Sequence, residues 1–176
     1  SYAVHYCLRG ISIGLWKNSS KGNSRPELIL KTDRPKNGSE NNNAIENKNE
    51  HFKLTIRQLY SNQLASQLLF VTPNQQESSK LNKYDCHLNF CCISKLSYHD
   101  NCHSSSKKPE FLLFMNNRLV ESNILRKTLN NIYAAMINSS YKEQPLYYCY
   151  LSLDIKFEHI DVNVHPSKKI VTFLFE

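Results

Sequence analysis

The chain has 176 residues, 40% of them hydrophobic, and a formal charge of +7. That suffices for one core, but no stretch approaches the roughly 18 apolar residues a membrane-spanning helix needs, and SYAVHYCLRG at the start lacks the apolar run of a signal peptide. The charge is concentrated in residues 1–106, with 13 basic against 8 acidic side chains, a balance that suits a polyanionic partner.

In chain order, ISIGLW (11–16) and ELILKT (27–32) read as strands able to pair across the polar KNSSKGNSRP (17–26). DRPKNGSENNNAIENKNEH (33–51) is rich in Asn, Ser and Lys and is expected to be disordered, because it buries too little apolar surface to offset chain entropy. TIRQLYSNQLAS (55–66) reads as a helix opened by a capping box of Thr55 and Gln58, with Ile56, Tyr60 and Leu64 on one face. TPNQQESSKLNK (72–83) and YHDNCHSSSKKP (98–109) read as further polar loops on either side of a strand, CHLNFCCISKLS (86–97).

FLLFM (111–115) is uniformly apolar, the mark of a strand buried on both faces, and Asn116–Asn117 follows as a turn, since Asn tolerates positive φ. ESNILRKTLNNIYAAMI (121–137) is the strongest helix, capped by Ser122 or Asn123, with a stripe of Leu125, Leu129, Ile132, Tyr133 and Met136. YYCYLSLDIKF (147–157) alternates: Cys149, Leu151, Leu153, Ile155 and Phe157 face one way, Tyr148, Tyr150, Ser152, Asp154 and Lys156 the other. IVTFLF (170–175) closes the chain as a strand. Strands, helix, strands, helix, strands in that order predict an α+β two-layer sandwich, helices on a mixed sheet.

The chemistry-bearing templates are few. With only Gly10, Gly14, Gly22 and Gly38 there is no Gly-rich phosphate loop, and neither H-E-x-x-H nor G-x-S-x-G occurs. Cys86, His87, Cys91, Cys92, His99, Cys102 and His103 crowd together, but without C-x-x-C knuckles, and adjacent Cys91 and Cys92 on a strand point to opposite faces. Free thiols in a reducing compartment are the better reading, and no metal ligand is assigned. Two basic features stand out. In DVNVHPSKK (161–169), Pro166 stiffens a loop that presents Lys168, a compact charge suited to a phosphate oxygen. Arg118 follows the Asn116–Asn117 turn, and Arg126 and Lys127 lie off the apolar stripe of the next helix; together they could contact a nucleic-acid backbone. Solvated turn and helix-face charges are the plain alternative for each.

FLLFMNNRLVES, LRKTLNNIYAAMI, YLSLDI and DVNVHPSKKIVTFLFE, in that order, resemble the second domain of the MutL DNA mismatch repair ATPases over about residues 110–176, nearest to the eukaryotic MutL homologue 1 type. GISIGLW and TIRQLYSNQLASQLL are more distantly similar to earlier parts of that family, and the Asn-rich stretches look like insertions. The resemblance implies a fold like the second domain of a ribosomal small-subunit protein, with a left-handed βαβ crossover. It implies that residues 1–8 are the tail of a helix from a preceding GHKL-type ATP-binding domain and that 9–176 form the transducer domain. Lys168 would contact the γ-phosphate of ATP held with Mg in that preceding domain, supported by Asn163, His165 and Pro166, while Arg118, Arg126 and Lys127 would serve DNA binding. Lys169, where the family often has His, and Asn117, where it has Gly or His, depart from its pattern. The parent protein would then be an ATPase and these residues alone would not hydrolyse ATP. Its expected partners are double-stranded DNA, a second MutL homologue of PMS type in a heterodimer, and MutS homologues. Its expected location is the nucleus, with no membrane association. The alternatives are a free-standing nucleic-acid-binding module of the same fold and a type II topoisomerase transducer, whose Gln-Thr-Lys loop HPSK does not match.

Overall fold

A computed structural model of the chain describes residues 1–17, 26–32, 44–94, 109–136, 146–161 and 172–173. The chain divides into two compact units, Ser1–Ser66 and Gln67–Glu176.

The first unit holds helix α1 (Tyr2–Cys7), the ribbon of β1 (Gly14–Lys17) and β2 (Glu27–Lys31), and helices α2 (Ala44–Leu59) and α3 (Asn62–Ser66). The two strands pair antiparallel as expected, with a register shift between Leu15 and Trp16. The ribbon is extended by Thr32, whose Oγ1 accepts from the Ile13 N–H at 2.8 Å. The Trp16 indole folds back over Gly14, so any larger side chain there would displace the ring. Val4, Cys7, Phe52, Thr55 and Ile56 are fully buried.

Three sequence expectations fail in this unit. Residues 44–51, expected to be disordered, form the first two turns of α2. Thr55 is therefore not an N-cap: it sits inside the helix, buried, and its Oγ1 donates to the His51 carbonyl at 3.1 Å. The expected single helix over 55–66 breaks near Ser61, whose Oγ accepts from the Leu64 N–H at 3.1 Å and restarts the chain as α3.

The second unit is built on a five-stranded mixed sheet of order β3-β4-β7-β5-β6: β3 (Leu68–Val71), β4 (Cys86–Ser94), β5 (Glu110–Met115), β6 (Arg118–Val120) and β7 (Tyr148–Ile155). Only the β5–β7 pair is parallel. Helix α5 (Asn123–Met136) lies between β6 and β7 in sequence and makes the crossover such a pair requires. Helix α4 (Gln75–Asn82) precedes β4, and β8 (Ile160–Asp161) pairs antiparallel with β9 (Thr172–Phe173). The chain is α+β, a mixed sheet packed against a helix, as its pattern predicts.

Helix α4 corrects the expectation of a polar loop over 72–83. It buries no residue and is held by a capping box at its start: Asn74 Oδ1 accepts from the Glu77 N–H, and Glu77 Oε2 accepts from the Asn74 N–H, both at 2.9 Å.

The sheet has two unlike faces. Register puts Phe111, Leu113 and Met115 opposite Cys149, Leu151 and Leu153, on one face. Leu125 of α5 packs there with Leu113, Met115 and Val120, while Leu129 and Tyr133 pack with Leu146 and Cys149. Ile132, expected in the same stripe, is about half exposed. At 3.6 residues per turn the buried arc centres on Leu129, and Ile132 falls about 60° to one side. The other face is aromatic, running Phe70, Phe90, Tyr150, Phe114 with ring centroids 5.7, 5.9 and 5.7 Å apart. Each neighbouring pair is worth about 0.5–1.5 kcal/mol beyond area burial. Cys91 and Cys92 do face opposite ways: Cys91 stands opposite Leu151 and Cys92 opposite Tyr150.

Candidate nucleic-acid interface

Strand β5 ends where the apolar run FLLFM meets Asn116–Asn117. Both asparagines adopt positive φ, 49° and 64°, giving a two-residue turn whose twist suits a tight hairpin. Asn116 does more than bend. Its main-chain N–H donates to the Leu153 carbonyl at 2.9 Å. Its side-chain Oδ1 accepts from the Ile155 N–H at 2.9 Å, and its Nδ2 donates to the Ile155 carbonyl at 2.8 Å. The amide thus replaces the next main-chain unit of β5 and continues the ladder along β7. The hairpin tip is fixed to the middle of the sheet, and Arg118, the first residue of β6, is presented exposed at the sheet edge.

A concavity of about 480 Å³ adjoins the same turn, lined by Asp85, His87, Asn116, Asp154, Lys156 and Glu158 among others. Lys156 Nζ pairs with Asp85 Oδ2 at 2.9 Å, and the hydrogen bond and charge of Asp85 raise the Lys156 pKa. Three carboxylates against one paired ammonium make this flank repel phosphates.

Arg126 and Lys127 sit exposed on the first turns of α5, beyond Ser122, whose Oγ accepts from the Leu125 N–H at 3.3 Å as the expected cap. Arg126 meets β5 at the opposite end from Arg118. Arg118 pairs with Met115 across the hairpin, whereas the Arg126 guanidinium lies 5.7 Å from the Phe111 ring centroid. Those two points of β5 are about 13 Å apart at 3.3 Å per residue. Asn163, His165, Pro166 and Lys168 lie outside the described residues, as do His99, Cys102 and His103 and residues 18–25, 33–43 and 98–108 of the polar stretches. Among the described residues no group of three or more His, Cys, Asp and Glu side chains could hold a metal ion. Burial raises the thiol pKa of Cys7 and Cys91 to about 11 and pushes Cys149 up further, so these three stay protonated and chemically quiet.

The sequence reading missed the bidentate role of Asn116. A pair of asparagines after an apolar strand signalled the turn, but the ladder contact is set by the end of β7, which lies 39 residues later.

Residues 56–176 match the family model described as DNA mismatch repair protein, C-terminal domain. Over 121 residues the chain is 36% identical to the putative MutL protein homolog 1 of Schizosaccharomyces pombe, covering 69% of this chain and 16% of that protein. It is 34% identical over 122 residues to the DNA mismatch repair protein MLH1 of Saccharomyces cerevisiae, covering 68% and 14%. The DNA mismatch repair protein MutL of Leptospira biflexa is 37% identical over 78 residues, 44% of this chain and 12% of that one. The chain thus spans less than a fifth of the length of these relatives. Among solved structures, a crystal structure of the N terminal domain of a DNA repair protein shares the fold, with a TM-score of 0.57 and 22% identity over 98% of this chain and 44% of that one. The chain belongs to the MutL family of DNA mismatch repair proteins, and its likeness runs to the MLH1 type.

Proposed function

We propose that this chain is the transducer part of a MutL-type mismatch repair ATPase, coupling ATP binding in a preceding GHKL domain to DNA binding and closure of the molecule. The observation that carries the reading is the extent of the family match. It runs from residue 56 to residue 176 and so includes both the Asn116–Arg118 turn and the loop bearing Lys168. ATP and its magnesium would be held by the preceding domain; from this chain Lys168 would reach the γ-phosphate, on a loop shaped by Asn163, His165 and Pro166. Arg118 would hold a backbone phosphate of double-stranded DNA, with Lys127 a second contact. Arg126, drawn over Phe111, is the least extended of the three. A PMS-type second MutL homologue and MutS homologues would be the protein partners, in the nucleus. No helix among the described residues is long and apolar enough to cross a membrane.

The exposed ribbon supports a part of a larger protein over a free-standing module. Leu15, Trp16, Leu28 and Ile29 are each about half exposed on a two-stranded ribbon, an arrangement only marginally stable by itself.

The test uses the complete parent protein. Lys168→Ala should lower nucleotide affinity or turnover on the order of ten- to a hundred-fold, the worth of one charge-assisted contact of roughly 1.5–3 kcal/mol. Lys169→Ala should do much less, since the resemblance gives the contact to Lys168. Equal and negligible effects of the two would remove the nucleotide-sensing role. Arg118→Glu should lower the slope of log affinity for DNA against log salt by about one. An unchanged slope would remove the DNA contact.

A further inference from the structure

Between α5 and the start of β5 lies a cavity of about 280 Å³ that none of the above uses. Its walls are apolar: Pro109, Phe111, Leu129, Leu146 and the Cys149 thiol. Desolvation raises the Cys149 pKa, so the thiol contributes no charge. The remaining wall is made of hydrogen-bond donors, one turn apart on α5. Arg126 holds its guanidinium 5.7 Å from the Phe111 ring centroid and forms no ion pair among the described residues. Asn130 Oδ1 is committed to the Leu146 N–H at 3.0 Å, which fixes the amide and leaves its Nδ2 donor without an acceptor among the described residues. Glu110 also lines the cavity, but alternation places its carboxylate on the Leu112 and Phe114 face of β5, opposite to Phe111.

An apolar chamber with a cation and an amide donor on one wall selects an apolar group attached to an anionic acceptor. The volume falls at the lower end of small-ligand sites, room for about one side chain and its neighbour rather than a nucleotide. A backbone phosphate would satisfy Arg126 but leave the chamber unfilled. We infer that this cavity receives a peptide from a partner protein, seating a branched aliphatic side chain against Leu129 and Leu146 and the carboxylate of an adjacent acidic residue on Arg126 and Asn130. Charge complementarity decides for an acidic peptide: on the Phe111 face of β5 the ionic group is the Arg126 guanidinium, with Glu110 turned to the other face.

The experiment titrates the 176-residue chain with acetyl-Leu-Glu-amide, acetyl-Leu-Gln-amide and acetyl-Ala-Glu-amide, following backbone amide shifts by NMR. Shifts should localise to Phe111, Arg126, Asn130, Leu146 and Cys149. The Leu-Glu probe should bind about tenfold tighter than either single-change probe, a difference of about 1.4 kcal/mol per tenfold. Arg126→Gln, at an exposed position, should abolish the preference for Glu over Gln, and Arg126→Lys should retain part of it. Absence of shifts at the solubility limit would overturn the proposal, whether the chamber is closed or filled by the chain itself. So would shifts indifferent to Arg126→Gln. A short DNA duplex that shifts the same amides while the peptides do not would make Arg126 a phosphate contact instead.

Discussion

The β5–β6 and β1–β2 hairpins are of similar length and in opposite circumstances. The β5–β6 hairpin turns in two residues, both at positive φ, and its tip is bonded to β7 through the Asn116 amide. Leu112 through Met115 are buried, and the strands have β7 on one side and α5 over one face. The β1–β2 ribbon joins its strands through a polar stretch, slips register at Leu15 and Trp16, and leaves its large apolar side chains about half exposed. Local pairing makes both hairpins. Among the described residues only the first is held by what surrounds it, so removing side chains should cost much there and little in the ribbon.

The largest effect is expected at Phe114, fully buried in β5 and part of the aromatic row. Phe114→Ala should destabilise the second unit by about 3–5 kcal/mol, the usual cost of deleting a buried aromatic. Loss of hydrogen-exchange protection at β7 amides, with α2 amides unaffected, would show it. Similar losses in both units would mean that they unfold together.

Next comes pH. Desolvation lifts the Cys91 thiol from 9.0 to about 11, and Cys7 in the first unit to the same value. Because the folded pKa is raised and the charged form is the thiolate, the stabilisation is fully present below pH 9 and lost as pH climbs from 9 to 11. The loss is on the order of 2 kcal/mol per thiol. This predicts that base, unlike core truncation, weakens both units, and the second more, because burial raises Cys86 and Cys149 there as well. Denaturant midpoints measured across that window should fall, and Cys91→Ala should flatten the fall in the second unit alone.

Asn116→Ala should cost about 1–2 kcal/mol, combining the lost bonds to Ile155 with a residue less tolerant of the left-handed region than Asn. Asn116→Gly relieves the second term and keeps the first, so it should fall between wild type and Ala. If Gly equals wild type in denaturant unfolding, the amide bridge to β7 contributes nothing and the hairpin tip is no better fixed than the ribbon.

How much of this was legible follows from what each element is made of. The β5 run, the Asn116–Asn117 turn and helix α5 advertise themselves, through an unbroken apolar segment, residues tolerant of positive φ, and a 3.6-residue stripe. The start of α2 and all of α4 do not. AIENKNE is polar and residues 46–50 bury no side chain, while α4 buries nothing and rests on the Asn74–Glu77 box, so composition pointed to loops in both. The Thr55–Gln58 pair fits a capping box by spacing, yet the helix continues upstream of it. At the candidate interface Arg118 could be read from its turn. Its separation from Arg126 could not, because that depends on where each meets β5.

The smallest effect is expected in the ribbon. Leu28 pairs with Trp16 across β1 and β2, and both are about half exposed. Leu28→Thr introduces a β-branched residue suited to a strand and removes little buried area, so the change in stability should stay within about 0.5 kcal/mol. Trp16 is the only tryptophan in the chain, which makes the ribbon directly observable. Its fluorescence should be readily quenched by acrylamide, and Leu28→Thr should leave both stability and quenching nearly unchanged. In the complete parent protein the outcome should reverse. If a further domain covers this surface, as the proposed function requires, the indole becomes shielded and Leu28→Thr acquires the cost of a core substitution. The β1–β2 ribbon would then behave like the β5–β6 hairpin. Equal quenching of Trp16 in the chain and in the parent protein would show that the ribbon stays open, and the exposed apolar surface would no longer support a neighbouring domain.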